Sequence, residues 1–282
     1  LFPKAVDYHK PDKPLIPNGL GILYVLASVV YLFLLYVFDF KNALPLAACV
    51  LFGGFMGLID DWIDLRWRYK AFLPLFAAIP LIALRQGKTI MDIPIIGLID
   101  FAQIPYGLFI FYLLVIPCIL TVTTNTINML GGLNGLETIC PSLIMLGLMI
   151  TSRHRILLYI PFAVYILLAY FNFNGKIFVG NTGSFAIGIT LAAFAIIVND
   201  EKVLLISLLP YILNSFLILF NHLILKRRSR LKINGDRLYA DHRRSLVTLI
   251  SYYRPMTERQ LVAAVSLIVA SFVALAILMW LI

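Results

Sequence analysis

Leu58-Ile59-Asp60-Asp61-Trp62-Ile63-Asp64-Leu65-Arg66-Trp67-Arg68-Tyr69-Lys70 closes a long uncharged apolar run with three carboxylates and three cations. The chain is 61% hydrophobic and only 13% charged, so the run reads as a membrane segment and the cluster as its aqueous end. Ionisable side chains at such a place are functional candidates by default. Asp60 and Asp61 are adjacent carboxylates that repel, and they sit together most comfortably around a divalent cation or a shared proton. The cations that follow suit an anionic substrate. Together these features point to phosphoryl transfer at a membrane face. The other reading of the same residues is a solvated loop with internal ion pairs.

Outward from this stretch, mean hydropathy is +0.94, and the apolar residues fall in runs long enough to cross a bilayer. The pattern predicts an all-α polytopic membrane protein, a single domain over residues 1–282. Nine spans are expected, near Gly19 to Phe38, Asn42 to Ile59, Phe72 to Leu84, Ile104 to Val122, Asn125 to Ile150, Ile156 to Phe171, Ile177 to Val198, Val203 to Leu225 and Leu261 to Ile282. The third is short, with room to extend back through Trp67 to Lys70. If the N-terminal segment is cytoplasmic, that side carries seventeen of the lysines and arginines and the other side six, which sets the orientation. Asp60 to Lys70 and the basic segment Lys226 to Arg259 then share one face. The net charge of +9 belongs to that face, and the orientation rule accounts for it as well as substrate attraction does. Cys49, Cys118 and Cys140 lie in apolar spans and read as small core residues, with neither a zinc site nor a disulfide framework. The chain opens on Leu1 in a polar run, which predicts that part of a natural N-terminus precedes it.

Five further segments carry information. Lys10 to Pro17, stiffened by Pro11, Pro14 and Pro17, either presents cations at the surface or anchors the span. Arg85 to Gln103 reads as an interfacial loop or small hairpin. Thr123-Thr124-Asn125-Thr126-Ile127-Asn128, running on to Gly131-Gly132-Leu133-Asn134-Gly135-Leu136-Glu137, puts three amides in hydrocarbon, where they need partners. Asn125 and Asn128 share a helical face and could ligate a metal or a ligand, and the glycines predict a helix break. Asparagine and glycine also simply pack helices together. Lys176-Ile177-Phe178-Val179-Gly180-Asn181-Thr182-Gly183-Ser184 opens a span as an anion-binding nest or an ordinary cap. Arg227, Arg228 and Arg230 suit pyrophosphate oxygens or anionic lipid. Nucleic acid is excluded as a partner, because Tyr252 and Tyr253 do not interleave with the basic run. Ser245 to Tyr253 reads as an interfacial piece.

These islands, in this order, resemble the polyprenyl-phosphate N-acetylhexosamine-1-phosphate transferase family. Leu65-Arg66-Trp67-Arg68-Tyr69-Lys70 points to its eukaryotic UDP-GlcNAc:dolichyl-phosphate branch. The motifs carrying the resemblance are Asp60 to Lys70, Thr124-Asn125-Thr126-Ile127-Asn128, Gly132 to Glu137 and Phe178-Val179-Gly180-Asn181-Thr182. The resemblance implies ten transmembrane helices, so one would be missing here, and a catalytic face turned to the cytosol from the endoplasmic reticulum membrane. It implies transfer of GlcNAc-1-phosphate from UDP-GlcNAc to dolichyl phosphate with Mg2+, releasing UMP, as the first step of lipid-linked oligosaccharide assembly for N-glycosylation. Mapped by motif, Asp60, Asp61 and Lys70 are catalytic. Asn125, Asn134, Phe178, Arg227, Arg228 and Arg230 bind substrate, and Asn128 and Asn181 hold the metal. Lys10 and Lys13 fall in a loop that carries basic residues in such enzymes. Dimers occur among them, and a homodimer is an expectation no feature of this sequence carries. The chain departs from the pattern twice: Asn181 stands where the family usually has aspartate, and Arg227-Arg228-Ser229-Arg230 lacks the histidine of the usual Arg-His-Arg motif. Alternatives are another polyprenyl phosphate, another UDP-N-acetylhexosamine, or a non-catalytic anion- or lipid-binding or transport protein built on broken helices.

Overall fold

The computed structural model describes residues 2–94, 96–226 and 229–281. Strands β1 (Lys4–Val6) and β2 (Leu15–Pro17) pair as an antiparallel hairpin ahead of helices α1 (Gly21–Val37) and α2 (Ala43–Ile63). The next pass is segmented into α3 (Trp67–Phe72), a 3-10 stretch over Leu73–Ala78 and α4 (Ile79–Ala83). Pro74 and Pro80 have no N–H to give the helix ladder, so this expected span is assembled from short pieces that reach back to Trp67. The hairpin expected in the following loop is present, with β3 (Ile90–Ile93) antiparallel to β4 (Gly97–Asp100).

Four longer helices follow: α5 (Gly107–Leu130), α6 (Leu136–Thr151), α7 (Arg155–Phe173) and α8 (Gly180–Val198). Within α5 the turn over Phe111–Val115 is widened to π geometry directly before Pro117, which relieves the clash of the proline ring with the preceding turn. Helices α9 (Glu201–Ser207) and α10 (Leu209–Ile224) meet at a 53° bend. Strands β5 (Lys232–Asn234), β6 (Arg237–Tyr239) and β7 (Met256–Thr257) form a small antiparallel sheet, with α11 (Leu246–Tyr253) between the last two, before α12 (Glu258–Leu281). Ser245 starts α11 with a capping box to Thr248, so the piece expected at the membrane surface is a short helix.

Helices α2, α5, α7, α8 and α12 are long and apolar enough to cross a membrane, and the bent α9–α10 pair makes a sixth if it counts as one span. Helices α1 and α6 are equally apolar but shorter, at 17 and 16 residues. The protein is a multi-pass helical membrane protein. Its outer helices expose leucines such as Leu26, Leu34, Leu267 and Leu278, which suit a lipid surround. Helix α8 is the centre: Thr182 through Ile196 are all buried, and α1, α2, α5 and α6 pack around it. A helix apolar all round belongs in the middle of a bundle. Two close crossings hold α8: a Cβ on Gly21 of α1 would come within 2.2 Å of Gly183 backbone, and one on Gly57 of α2 within 2.3 Å of the Asn181 carbonyl oxygen.

Two expectations are corrected. The break between the fourth and fifth spans lies over 131–135 rather than at 122–125, because the polar run stays helical. Asn125 Nδ2 donates to the Thr121 and Ala71 carbonyls at 2.9 and 3.0 Å, and Thr126 Oγ1 donates to the Thr123 carbonyl at 3.1 Å. Cys118 is exposed on the outside of α5, whereas Cys49 and Cys140 are buried as expected and all three thiols are free.

Candidate active site

The polar islands meet at one end of the bundle. Asp61, in the last turn of α2, caps α8 from outside: its carboxylate accepts from the Asn181 N–H at 2.8 Å, the Thr182 N–H at 2.9 Å and the Thr182 hydroxyl at 2.7 Å. The first N–H groups of a helix lack partners within it and carry partial positive charge, so a carboxylate is well matched to them. Of the two readings of this stretch, nest or ordinary cap, the bonds seen here are those of a cap, supplied by a carboxylate of α2.

Asp60 turns the other way. Its buried carboxylate pairs with Lys70 Nζ at 2.9 Å and accepts the Leu65 N–H at 3.0 Å, while Oδ2 has no hydrogen-bond partner among the described residues. Lys70 also reaches Asp64 at 3.2 Å, so one ammonium bridges two carboxylates. The two adjacent aspartates thus have separate partners in the protein. A helix turns by about 100° per residue, and each side chain finds a different positive partner.

The asparagines divide similarly. Asn128 Nδ2 donates to Asn181 Oδ1 at 2.9 Å and to Ser184 Oγ at 3.0 Å, which brings together the two residues expected at the metal. Asn125 is tied to backbone of α5 and α3 as described above. Asn134 is buried in the wall, its Nδ2 held by Asp7 at 2.7 Å and Glu258 at 3.0 Å. Ligating atoms of Asp7, His9 and Glu258 lie within 4.8 Å of one another around it. Burial pushes the Asp7 carboxyl up, but hydrogen bonds from Asn134, Lys10 and the His9 N–H outweigh it and hold Asp7 below its usual value.

Two adjoining cavities open between these elements. The smaller, about 320 Å3, is lined by Asp61, Glu137, Phe178 and Asn181 together with Asn18 and Asn172. The larger, about 610 Å3, is lined by apolar residues that include Met129, Ile218 and Val247, and by the polar side chains of Ser229, Arg230, Ser245 and Thr248. Tyr8, His9, Gly132 and Leu133 belong to both linings, so the two form one groove. Of the three arginines expected near phosphate, Arg230 lines the larger cavity, and Arg227 and Arg228 lie outside the described residues.

A family profile, Glycosyl transferase family 4, matches residues 43–199, more than half of the chain. The chain belongs to glycosyl transferase family 4. It is 32% identical, over 97% of its length and 87% of the relative's, to a Saccharolobus solfataricus protein provisionally named UDP-N-acetylglucosamine--dolichyl-phosphate N-acetylglucosaminephosphotransferase. A Dictyostelium discoideum protein bearing that name without qualification is 30% identical over 87% of this chain and 72% of its own. A Prochlorococcus marinus phospho-N-acetylmuramoyl-pentapeptide-transferase is 26% identical over 79% of this chain and 67% of its own. The family 4 chain described here is accordingly a phosphosugar transferase.

The matched region holds Asp60, Asp61, Lys70, Asn128, Phe178 and Asn181, whereas the β1–β2 hairpin and the stretches 229–231 and 245–248 lie outside it and add to the lining of the groove. Sequence reasoning gave no role to Asp7, Asn18, Asn172 or Glu137. Asn172 accepts the Gly135 N–H at 2.8 Å and donates to the Ile177 carbonyl at 2.9 Å, tying the two loops of the site together. Glu137 carried the one available signal, a carboxylate in the first turn of an apolar helix. As donors for a hard cation, the amides of Asn128 and Asn181 supply oxygen without charge. Asn181 lines the smaller cavity together with Glu137, and Asn128 adjoins it through its bond to Asn181, so the donor set fits such an ion.

Proposed function

We propose that the chain transfers GlcNAc-1-phosphate from UDP-GlcNAc to dolichyl phosphate, forming dolichyl-pyrophosphoryl-GlcNAc and UMP, the first step of lipid-linked oligosaccharide assembly for N-glycosylation. The observation that carries the reading is the continuous groove in which Asp61, Asn181, Phe178 and Arg230 converge at the polar end of an apolar bundle. The shared name of the archaeal and eukaryotic relatives supports the substrates.

In this reading nine helical passes, counting α1, α6 and the segmented α3–α4, carry the groove on the cytosolic face, in agreement with the excess of basic residues there. The membrane is the one that holds dolichyl phosphate, the endoplasmic reticulum in a eukaryotic cell. Phe178 offers a ring to the uracil, and Arg230 offers a fork to phosphate oxygens. Lys70, set beside Asp60 and Asp64, screens the charge of the incoming lipid phosphate at the membrane edge. That phosphate is already an anion at neutral pH, so positioning and charge screening do most of the catalysis and a strong base is unnecessary. Asn128 and Asn181 would hold Mg2+, which would supply charge neutralisation at the pyrophosphate. Asp61 fixes the start of α8, and with it Asn181, whatever else it touches during turnover.

The test is UMP release by purified protein with UDP-GlcNAc, dolichyl phosphate and Mg2+, followed by mass analysis of the lipid product. Turnover that needs all three, and that Lys70→Met reduces by at least about tenfold, supports the reading; the factor corresponds to about 1.4 kcal/mol of lost transition-state stabilisation. UMP formed only from another UDP-N-acetylhexosamine or with another polyprenyl phosphate would reassign the substrates. Absence of UMP from every pair would overturn the assignment.

A further inference from the structure

Three carboxylates line the smaller cavity: Asp7, Asp61 and Glu137. Asp61 is consumed by its three bonds to the start of α8. Asp7 is consumed as well, with one oxygen taken by the His9 N–H and the other by Asn134 and Lys10. Glu137 differs: Oε1 accepts the Gly132 N–H at 3.0 Å, and Oε2 has no protein donor among the described residues. Its position is built in from two sides. A Cβ on Gly131 would come within 2.2 Å of Glu137 Oε1, so the loop backbone presses directly on the carboxylate. On the other side, the Tyr165 hydroxyl holds the Glu137 main-chain carbonyl at 3.0 Å.

The same cavity is lined by Asn181, whose Oδ1 already accepts from Asn128. An amide pair binds a hard divalent cation weakly, because affinity for such ions follows the count of ligand charges. We infer that Glu137 is the anionic ligand of the divalent cation in this cavity and provides the charge that Asn181 lacks. The inference rests on the cation-dependent transfer proposed above. It adds a residue on α6 to the site and makes the cation bridge α6 and α8.

The experiment is a titration of the purified protein with Mn2+, with free ion followed by electron paramagnetic resonance, in the absence of any turnover. It compares wild type, Glu137→Gln, Asn181→Asp and the double variant. Glu137→Gln is expected to weaken Mn2+ binding by at least about tenfold, the scale seen when even an outer partner of a metal site is lost. Asn181→Asp in the same chain is expected to restore it, because the charge returns to the same cavity. Should Glu137→Gln not fold, Glu137→Asp keeps the charge but withdraws it by one methylene, and it is expected to bind several-fold more weakly. Equal binding by wild type and the Glu137 variants overturns the inference and leaves the transfer reading standing. Weakened binding that Asn181→Asp does not restore assigns Glu137 to structure alone and also overturns it. If neither wild type nor Asn181→Asp binds Mn2+, with or without UDP-GlcNAc, the cation-dependent reading itself fails.

Discussion

The Tyr165 hydroxyl on α7 donates to the Glu137 main-chain carbonyl on α6 at 3.0 Å, and that carbonyl is free because Pro141, four residues on, has no N–H to give it. A helix-breaking residue and a tyrosine on the neighbouring helix thus answer each other, and the first turn of α6 is pinned where Glu137 enters the cavity. Tyr165→Phe removes the donor and leaves a buried carbonyl unpaired, at a cost of about 1–3 kcal/mol. A lower thermal midpoint in detergent, with normal helix content, is the expected result. An unchanged midpoint would mean that water or lipid satisfies the carbonyl instead.

Lys70 and Asp60 make the second prediction. Asp60 is fully buried and Lys70 partly exposed, so Lys70→Met leaves a buried carboxylate without its cation and should cost about 3 kcal/mol, the lower end for a broken buried pair. Adding Asp60→Asn should recover most of that stability, though not activity. Thermal unfolding of the single and double variants reads the difference, and a double variant as unstable as the single one would show that the pair contributes little.

The Asp7 carboxyl gives the pH dependence. Its folded-state pKa is below its unfolded value, so the stability it contributes is fully present above about pH 4 and drains away as the pH falls through the folded value. Asp7→Asn keeps an acceptor for Asn134 and removes the titration. The midpoint advantage of wild type over Asp7→Asn should therefore hold down to about pH 4 and shrink as the pH falls below it. A constant difference across that range would show that the Lys10 and Asn134 bonds do not discriminate the ionised form.

Gly57 offers the fourth. A methyl there would meet the Asn181 carbonyl oxygen at 2.3 Å, against backbone that cannot swing aside. Gly57→Ala should force α2 and α8 apart, cost at least about 1–3 kcal/mol and misplace the Asp61 cap. Gly97→Ala, at a position with open space around it but a positive φ, serves as a comparison for backbone strain alone. Nearly equal losses in the two would remove the argument for close packing.

The sequence alone determined the class of protein, because apolar runs such as Asn42 to Ile59 have no other stable home than a bilayer or a bundle core. It also determined which segments are polar, and its motif order was enough to indicate the family. The break at Gly131 to Gly135 was legible too, since backbone at positive φ at Gly132 and Gly135 ends a helix. What the sequence left open was the partner of each polar group. Asp60 and Asp61 are neighbours in the chain, yet one faces Lys70 and the other the start of α8, 120 residues away. Asn128 meets Asn181 across 53 residues, and Glu137 shares a cavity with Asp61 and Asn181. Only tertiary structure decides such pairings, because a buried charge or amide takes whichever partner the packing of α2, α5, α6 and α8 brings within hydrogen-bond reach. Short-range spacing records the need for a partner without recording which one will be there.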